Sequence, residues 1–192
     1  MRAAKTSGAV VSFDLNSREQ LWKLSGGEER AREVIGRILS HVDVLVRNAK
    51  DRQRGLGLRG PEIVGRSKLD PSAFVERIKN VVARYPHIKI VATTLREVHS
   101  TTRHAWGAVA WINGEVYLSP KLELDVHDRV GGGEGFASGF FYSILNGESP
   151  EQAVKLGWAH CAPLTTFSGD TTMAPLDQVR SLAQGGRERI QR

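Results

Sequence analysis

Three consecutive glycines between two carboxylates, in the run Asp128-Arg129-Val130-Gly131-Gly132-Gly133-Glu134, are the residues of this sequence best equipped for chemistry. Without Cβ atoms their backbone N–H groups can converge on one anion, and a helix opening directly afterwards would add its positive N-terminal end. A carboxylate beside such a nest has a use. It can take a proton from a hydroxyl while the nest holds the charge developing on a transferred phosphoryl group. The same residue types serve equally well as a glycine-rich helix entry carrying a surface acid. The run is neither a GxxxxGK[ST] phosphate loop nor a GxGxxG turn after a first strand.

Other polar residues collect at positions where a ligand could sit. Asp14, Asn16 and Arg18 follow a short apolar run, Asn48 and Asp51 follow another, and Thr93, Thr94, Arg96, His99 and Ser100 to Thr102 follow a third. His99 and His104 lack a third ligand at recognisable spacing, so no transition metal is assigned. Cys161 stands among Leu156 and Ala159 with no base nearby in sequence, which reads as a small buried apolar residue. Trp106, Trp111 and Trp158 read as packing residues.

The elements that must carry these groups alternate between strand and helix. Ala9 to Leu15 is a β-branched run predicting a strand that delivers Asp14 and Asn16 to its C-terminal end. From Glu28 to Leu39 the spacing of Ala31, Val34, Ile35, Ile38 and Leu39 predicts an amphipathic helix, followed by a buried strand over Asp43 to Val46. Residues 51–69, rich in glycine and charge, predict an irregular connection. Asp70-Pro71 is an N-cap with proline at the first helical position, and Phe74, Val75, Ile78, Val81 and Val82 mark the buried face of a helix ending at Pro86. Ile88 to Ala92 predicts a strand, and Ala105 to Ile112, Asn113-Gly114 and Val116 to Leu118 predict a hairpin. The glycine run then opens a helix through Leu145. Ser149-Pro150-Glu151-Gln152 is a capping box starting another helix, which Pro163 closes. Thr165 to Thr172 is a polar loop holding Gly169-Asp170, and Leu176 to Leu182 is a last short helix. The order implies an α/β domain with a largely parallel sheet and its ligand site at the carboxyl ends of the strands.

Composition narrows the function classes. The chain has 192 residues, 40% hydrophobic and 25% charged, with a formal net charge of +6; this suits one globular domain over 1–192. Of its basic residues 19 are Arg, but a net +5 lies between Arg47 and Lys68, so the excess is local and does not make a nucleic-acid-binding stripe. A single cysteine, Cys161, excludes an internal disulfide framework and points to a reducing, cytoplasmic setting. No run reaches the ~18 apolar residues of a membrane helix, and the N-terminal apolar stretch is shorter than a signal-peptide core.

The run DRVGGGEGFASG resembles the second signature of the PfkB (ribokinase-like) carbohydrate kinases, Asp-x-x-Gly-x-Gly-Asp-x-x-x-x-Gly. SFDLNSREQLW is similar to the DxNxR…LW segment of 2-keto-3-deoxygluconate kinases, Asn48 to Asp51 to their NxxE/D motif, and VATTLREVHS and the late Gly169-Asp170 also fit. The resemblance implies a ribokinase-like three-layer α/β/α fold with a mostly parallel sheet, and transfer of the ATP γ-phosphate to the hydroxymethyl hydroxyl of a sugar acid such as 2-keto-3-deoxygluconate. It implies that Gly131, Gly132 and Gly133 form the anion hole and that Glu134 occupies the place of the catalytic aspartate. Arg18 is implied at the sugar-acid carboxylate, with Asp14 and Asn16 in the same segment, and Asp170 near the sugar hydroxyls. Asn48, Thr94, Arg96 and Gly133 are implied at the nucleotide, and Asn48 and Asp51 at magnesium.

Three departures accompany the resemblance. The chain corresponds to a C-terminal portion lacking the family's N-terminal strands and lid, which implies a partner at the open sheet edge, either a second copy or a separately encoded N-terminal half. Glu134 is one methylene longer than the family's aspartate, a displacement of about 1 Å that can cost roughly 100-fold in rate. Arg47 and Lys50 place positive charge around the implied magnesium site. Cys161, Pro163 and Ser168 also depart from the pattern near the nucleotide side.

Overall fold

The computed structural model describes residues 1–16, 18–47, 69–128, 130–172 and 174–185. Its elements are α1 (Arg2–Thr6), β1 (Ser12–Leu15), α2 (Glu19–Leu24), α3 (Gly27–Leu39), β2 (Val44–Arg47), α4 (Ser72–Arg84), β3 (Ile90–Val98), β4 (Arg103–Ile112), β5 (Glu115–Leu118), β6 (Leu122–Asp125), α5 (Gly132–Leu145), α6 (Pro150–Leu164) and α7 (Leu176–Ala183). The strands hydrogen-bond in the order β1-β2-β3-β4-β5, with β6 paired to β4. The sheet is mixed: β1 runs parallel to β2 and β2 to β3, whereas β6 is antiparallel to β4. The described residues gather into two compact units, and the division falls within β3, β4 and β5.

The first unit contains α1 to α4, β1, β2, β3 as far as Thr93, and Ala110–Val116 at the end of β4 and the start of β5. Its core joins Leu15 of β1, Leu45 of β2 and Val91 of β3 to Ala31, Ile35 and Leu39 of α3 and Ile78 and Val81 of α4. Leu45 and Val91 are register partners, so one face of neighbouring strands meets both helices. The helical spacing read from the sequence is thus the spacing of the buried stripe. Pro71, expected at the first helical position, is itself the N-cap of α4, and Asp70 stands one residue further out, its Oδ1 accepting from the Ser72 N–H at 2.9 Å.

The strand expected over Ala9 to Leu15 is shorter, because at its start the neighbouring chain offers a carboxylate where a strand would offer its backbone. Asp43 Oδ2 accepts from the Val11 N–H at 2.9 Å, and Lys5 of α1 donates to the other oxygen. Val10 is left 74% exposed, outside the ladder. The irregular connection expected over 51–69 lies outside the described residues except for Leu69.

The second unit holds the remainder of β3, β4 and β5, then β6 and α5 to α7. Helices α5 and α6 pack closely because glycines line their contact. A Cβ on Gly139 would lie 2.9 Å from the Leu156 carbonyl oxygen, and one on Gly157 would lie 2.8 Å from that of Phe136. Phe136 and Phe140, both fully buried, stack with centroids 5.6 Å apart. The capping box at Ser149 forms as expected: its Oγ accepts from the Gln152 N–H, and Gln152 Oε1 accepts from the Ser149 N–H at 3.1 Å. Pro163 does not close α6; it sits within the last turn, and the helix ends one residue later at Leu164.

The strand expected over Ile88 to Ala92 also differs. It begins at Ile90 and runs on to Val98, so Thr93, Thr94 and Arg96 belong to β3 and not to a polar loop after it. Alternation explains this: Thr93 and Leu95 are buried while Thr94 and Arg96 are partly exposed, the period-2 pattern of a strand with one wet face. The hairpin forms at Asn113 (φ 50) and Gly114 (φ 105), both in the left-handed region that a two-residue turn requires. Elements α1, α2 and β6 carried no clear periodic signal.

Candidate functional site

The glycine turn is held in place from behind. After β6, the N–H groups of His127 and Asp128 both donate to the Thr165 carbonyl oxygen, at 2.8 and 3.1 Å. Thr165 is fully buried at the end of α6, its hydroxyl donating to the Ala162 carbonyl oxygen at 2.8 Å. Asp128 Oδ1 then accepts from the Val130 N–H at 3.0 Å, which starts the turn. Gly131 caps α5 in the left-handed conformation (φ 77), and its carbonyl accepts the first helical hydrogen bond, from the Gly135 N–H at 2.7 Å. Only glycine fits there. A Cβ at 131 would be strained by φ and would lie 2.5 Å from the Asp170 carbonyl oxygen.

The three glycines therefore have different roles. Gly131 rests on the backbone of Asp170. Gly132 rests on side chains: its Cβ would lie 3.2 Å from Trp106 Cη2, 3.6 Å from Thr165 Cγ2 and 3.8 Å from Cys161 Sγ. Gly133 faces open space, and Glu134 beside it is exposed in the first turn of α5. The positive end of α5 favours a carboxylate at that position. An open backbone segment next to an exposed acid is the arrangement that proton abstraction beside an anion nest requires.

Below the turn lie Trp106 and Cys161, both buried. The Arg96 guanidinium stands 5.6 Å from the Trp106 ring centroid, within cation–π range. Burial pushes the Cys161 thiol up to about 12, opposed by the Arg96 charge and reinforced by that of Glu134. The thiol is inert at neutral pH, in keeping with a packing role. His160 of α6 secures the first turn of α5 from the other side: its Nδ1 lies 2.7 Å from the Gly135 carbonyl oxygen, which can only accept, so this nitrogen carries the proton.

The sequence-predicted residues separate into the two units. Gly131, Gly132, Gly133, Glu134, Asp170, Thr94 and Arg96 all belong to the second, where Asp170 is brought to the back of the glycine turn. Asp14, Asn16 and Arg18 belong to the first: Asp14 is exposed on β1, Asn16 turns back to donate to the Asp14 carbonyl oxygen at 3.1 Å, and Arg18 is exposed at the N-cap of α2. Asn48 and Asp51 lie outside the described residues, as does Arg129. Among the described residues no three His, Cys, Asp or Glu side chains gather as a metal site, and no helix is long and apolar enough to cross a membrane. In the sequence Trp106 reads as packing alone and Thr165 as the first residue of a polar loop, whereas the structure buries Thr165 behind the glycine turn.

No protein-family model matches the chain. A 2-dehydro-3-deoxygalactonokinase of Haloferax volcanii is 29% identical over 192 residues, covering 100% of this chain and 52% of the relative. Among solved structures, a 2-dehydro-3-deoxygluconokinase from Thermotoga maritima superposes with a TM-score of 0.84 at 30% identity, over 96% of this chain and 53% of its own. A PfkB family carbohydrate kinase from Listeria grayi, at 24% identity, shares the fold with a TM-score of 0.80 over 95% of this chain and 52% of its own. The chain spans about half the length of the relatives it matches. It thus has a ribokinase-like fold and resembles, along nearly all of its own length, the C-terminal portion of a PfkB-type carbohydrate kinase.

Proposed function

We propose that this chain supplies the phosphoryl-transfer portion of an ATP-dependent sugar kinase acting on the hydroxymethyl hydroxyl of a sugar acid such as 2-keto-3-deoxygluconate. The observation that carries the reading is the open Gly133 backbone beside the exposed Glu134 at the start of α5, with Gly131 and Gly132 buttressed by Asp170 and Trp106. Glu134 takes the proton as the acceptor oxygen attacks the γ-phosphorus. The bond from that phosphorus to the bridging oxygen breaks, and ADP leaves with the electron pair. The backbone of Gly131 to Gly133 and the N-terminal end of α5 stabilise the charge on the transferred group.

The remaining roles belong to the same proposal. Arg18 pairs with the sugar-acid carboxylate, in the planar two-pronged way arginine allows, while Asp14, Asn16 and Asp170 bind hydroxyls. Thr94, Arg96 and Asn48 attend the nucleotide. Magnesium, held through Asn48 and Asp51, would neutralise phosphate charge when bound with ATP. The single buried thiol suits a reducing cytoplasm. Specificity for one sugar requires surfaces outside this chain's half of the kinase length.

The half-length match and Glu134 in place of aspartate favour a second reading, a nucleotide-binding subunit silent by itself. One assay separates the two: ADP formation from Mg·ATP with and without 2-keto-3-deoxygluconate, on the chain alone and with a separately expressed N-terminal kinase half. Sugar-dependent turnover that falls by at least ~100-fold in Glu134→Gln supports the kinase. Equal, sugar-independent background in all mixtures, including Glu134→Asp, supports the silent subunit.

A further inference from the structure

Trp106 touches both the glycine turn and an arginine. It is 4% exposed on β4, and the edge of its ring meets Gly132 so closely that a Cβ there would stand 3.2 Å from Cη2. Above its face lies Arg96 of β3, with Cζ 5.6 Å from the ring centroid. Its indole Nε1–H is buried and has no acceptor among the described residues. A buried donor left without a partner costs free energy and calls for a reason.

The geometry points to Trp106 as a positioning residue for an oligophosphate. Its ring forms the floor of the glycine turn and holds the Arg96 guanidinium over its face by cation–π attraction, so that a fixed cation and the backbone N–H groups act on the same phosphate chain. Arginine suits this task and lysine does not: a planar guanidinium stacks on an indole and still offers hydrogen bonds from its edge to phosphate oxygens. The electrostatics agree with the placement. The charges of both Arg96 and Glu134 are felt at Cys161, whose Sγ would lie 3.8 Å from a Cβ added at Gly132. A side chain anchored by stacking loses less freedom on binding than a long mobile one, so Trp106 acts through Arg96 without touching the reacting atoms. The inference rests on the reading of Gly131 to Gly133 as a phosphate site and goes beyond it by naming what positions the cation.

The test is calorimetric titration of the intact 192-residue chain with tripolyphosphate, with adenosine as the phosphate-free control, and with circular dichroism verifying that each variant is folded. Arg96→Gln is expected to weaken tripolyphosphate binding on the order of tenfold and to flatten its salt dependence, leaving adenosine unaffected. Trp106→Leu is expected to weaken it about two- to fivefold, while Trp106→Phe, which keeps an aromatic face, restores most of the loss. Arg96→Lys keeps the charge without the planar stack and is expected to bind more weakly than wild type; it decides the question if Trp106→Leu does not fold. Wild-type affinity in both Arg96→Gln and Arg96→Lys, or no tripolyphosphate binding by the wild type, would overturn the inference. Arg96-dependent binding without sugar-dependent ADP formation would retain this inference and sink the kinase reading. Sugar-dependent turnover indifferent to Arg96 would do the reverse.

Discussion

At the scale of single residues, three adjacent glycines that look equivalent in sequence carry unequal constraints. Gly131 needs both a left-handed φ and room against Asp170, whereas Gly133 has neither requirement. Gly131→Ala is therefore expected to destabilise the protein by at least about 1–2 kcal/mol, the usual cost of the left-handed conformation for an L-residue, before the clash is added. Gly133→Ala is expected to change stability by less than about 1 kcal/mol while weakening anion binding, since its Cβ would enter the open side of the turn. Thermal melts of the two variants, with and without ATP, check this. Equal destabilisation would mean that Gly133 is a packing residue too. The triplet itself was legible in the sequence, but the division of labour was not, because it depends on Asp170 and Trp106, remote in the chain.

At the scale of elements, two attachments carry measurable consequences. The α5–α6 pair depends on close approach at Gly139 and Gly157, where an added methyl would meet backbone at 2.9 and 2.8 Å. Gly157→Ala is expected to cost roughly 1–3 kcal/mol despite its better helix propensity, because overpacking against a carbonyl outweighs the propensity gain of about 1 kcal/mol. A melt of that variant at or above the wild-type temperature would show that the helices can separate freely. The second attachment is Asp43, which joins Lys5 of α1 and the Val11 N–H to the start of β2. Burial raises its carboxyl pKa, but the Lys5 hydrogen bond, the Val11 N–H and the charges of Lys5 and Lys89 outweigh this and leave it below the ordinary value of 3.8. Because the folded-state pKa is depressed, the stabilisation is present above the unfolded value and is lost as pH falls through the folded one. Hydrogen exchange at Val11 should therefore quicken, relative to its intrinsic rate, only as the solution is acidified below about pH 4, and Asp43→Asn should remove that dependence. An unchanged acid profile in Asp43→Asn would assign it to another carboxylate.

At the scale of the whole molecule, two facts matter: the chain spans about half the length of the relatives it matches, and among the described strands β1 pairs with β2 alone. An edge strand is a template for pairing with another chain. The relatives are about twice as long. On the proposed kinase reading, the chain is expected to associate through that edge with an N-terminal kinase half. Sedimentation velocity of the two polypeptides, separately and mixed, should show a one-to-one complex only in the mixture. A chain that sediments identically with and without the other half would exclude the split-kinase arrangement, and self-association in its place would identify a second copy as the occupant. The local basic excess of residues 47–68 falls almost wholly outside the described residues and adds nothing to this question.

What the sequence determined by itself was everything governed by near neighbours. The buried stripes of α3 and α4, the capping box of α6, the Asn113-Gly114 turn and the glycine opening of α5 are all set by residues within about one helical turn or one hairpin, where propensity and periodicity act. Even the family resemblance was legible, because its motifs are short and contiguous. The tertiary structure decided what depends on contacts across the chain: Asp43 making β1 begin late, β3 extending through a threonine-rich segment because one face of it is buried, and Trp106, Thr165 and Asp170 meeting behind the glycine turn. No local pattern encodes those meetings. They arise because the close helix pair α5–α6 and the strands β3 and β4 must bury their apolar faces together, and the positions of Arg96 and Glu134 follow from that packing.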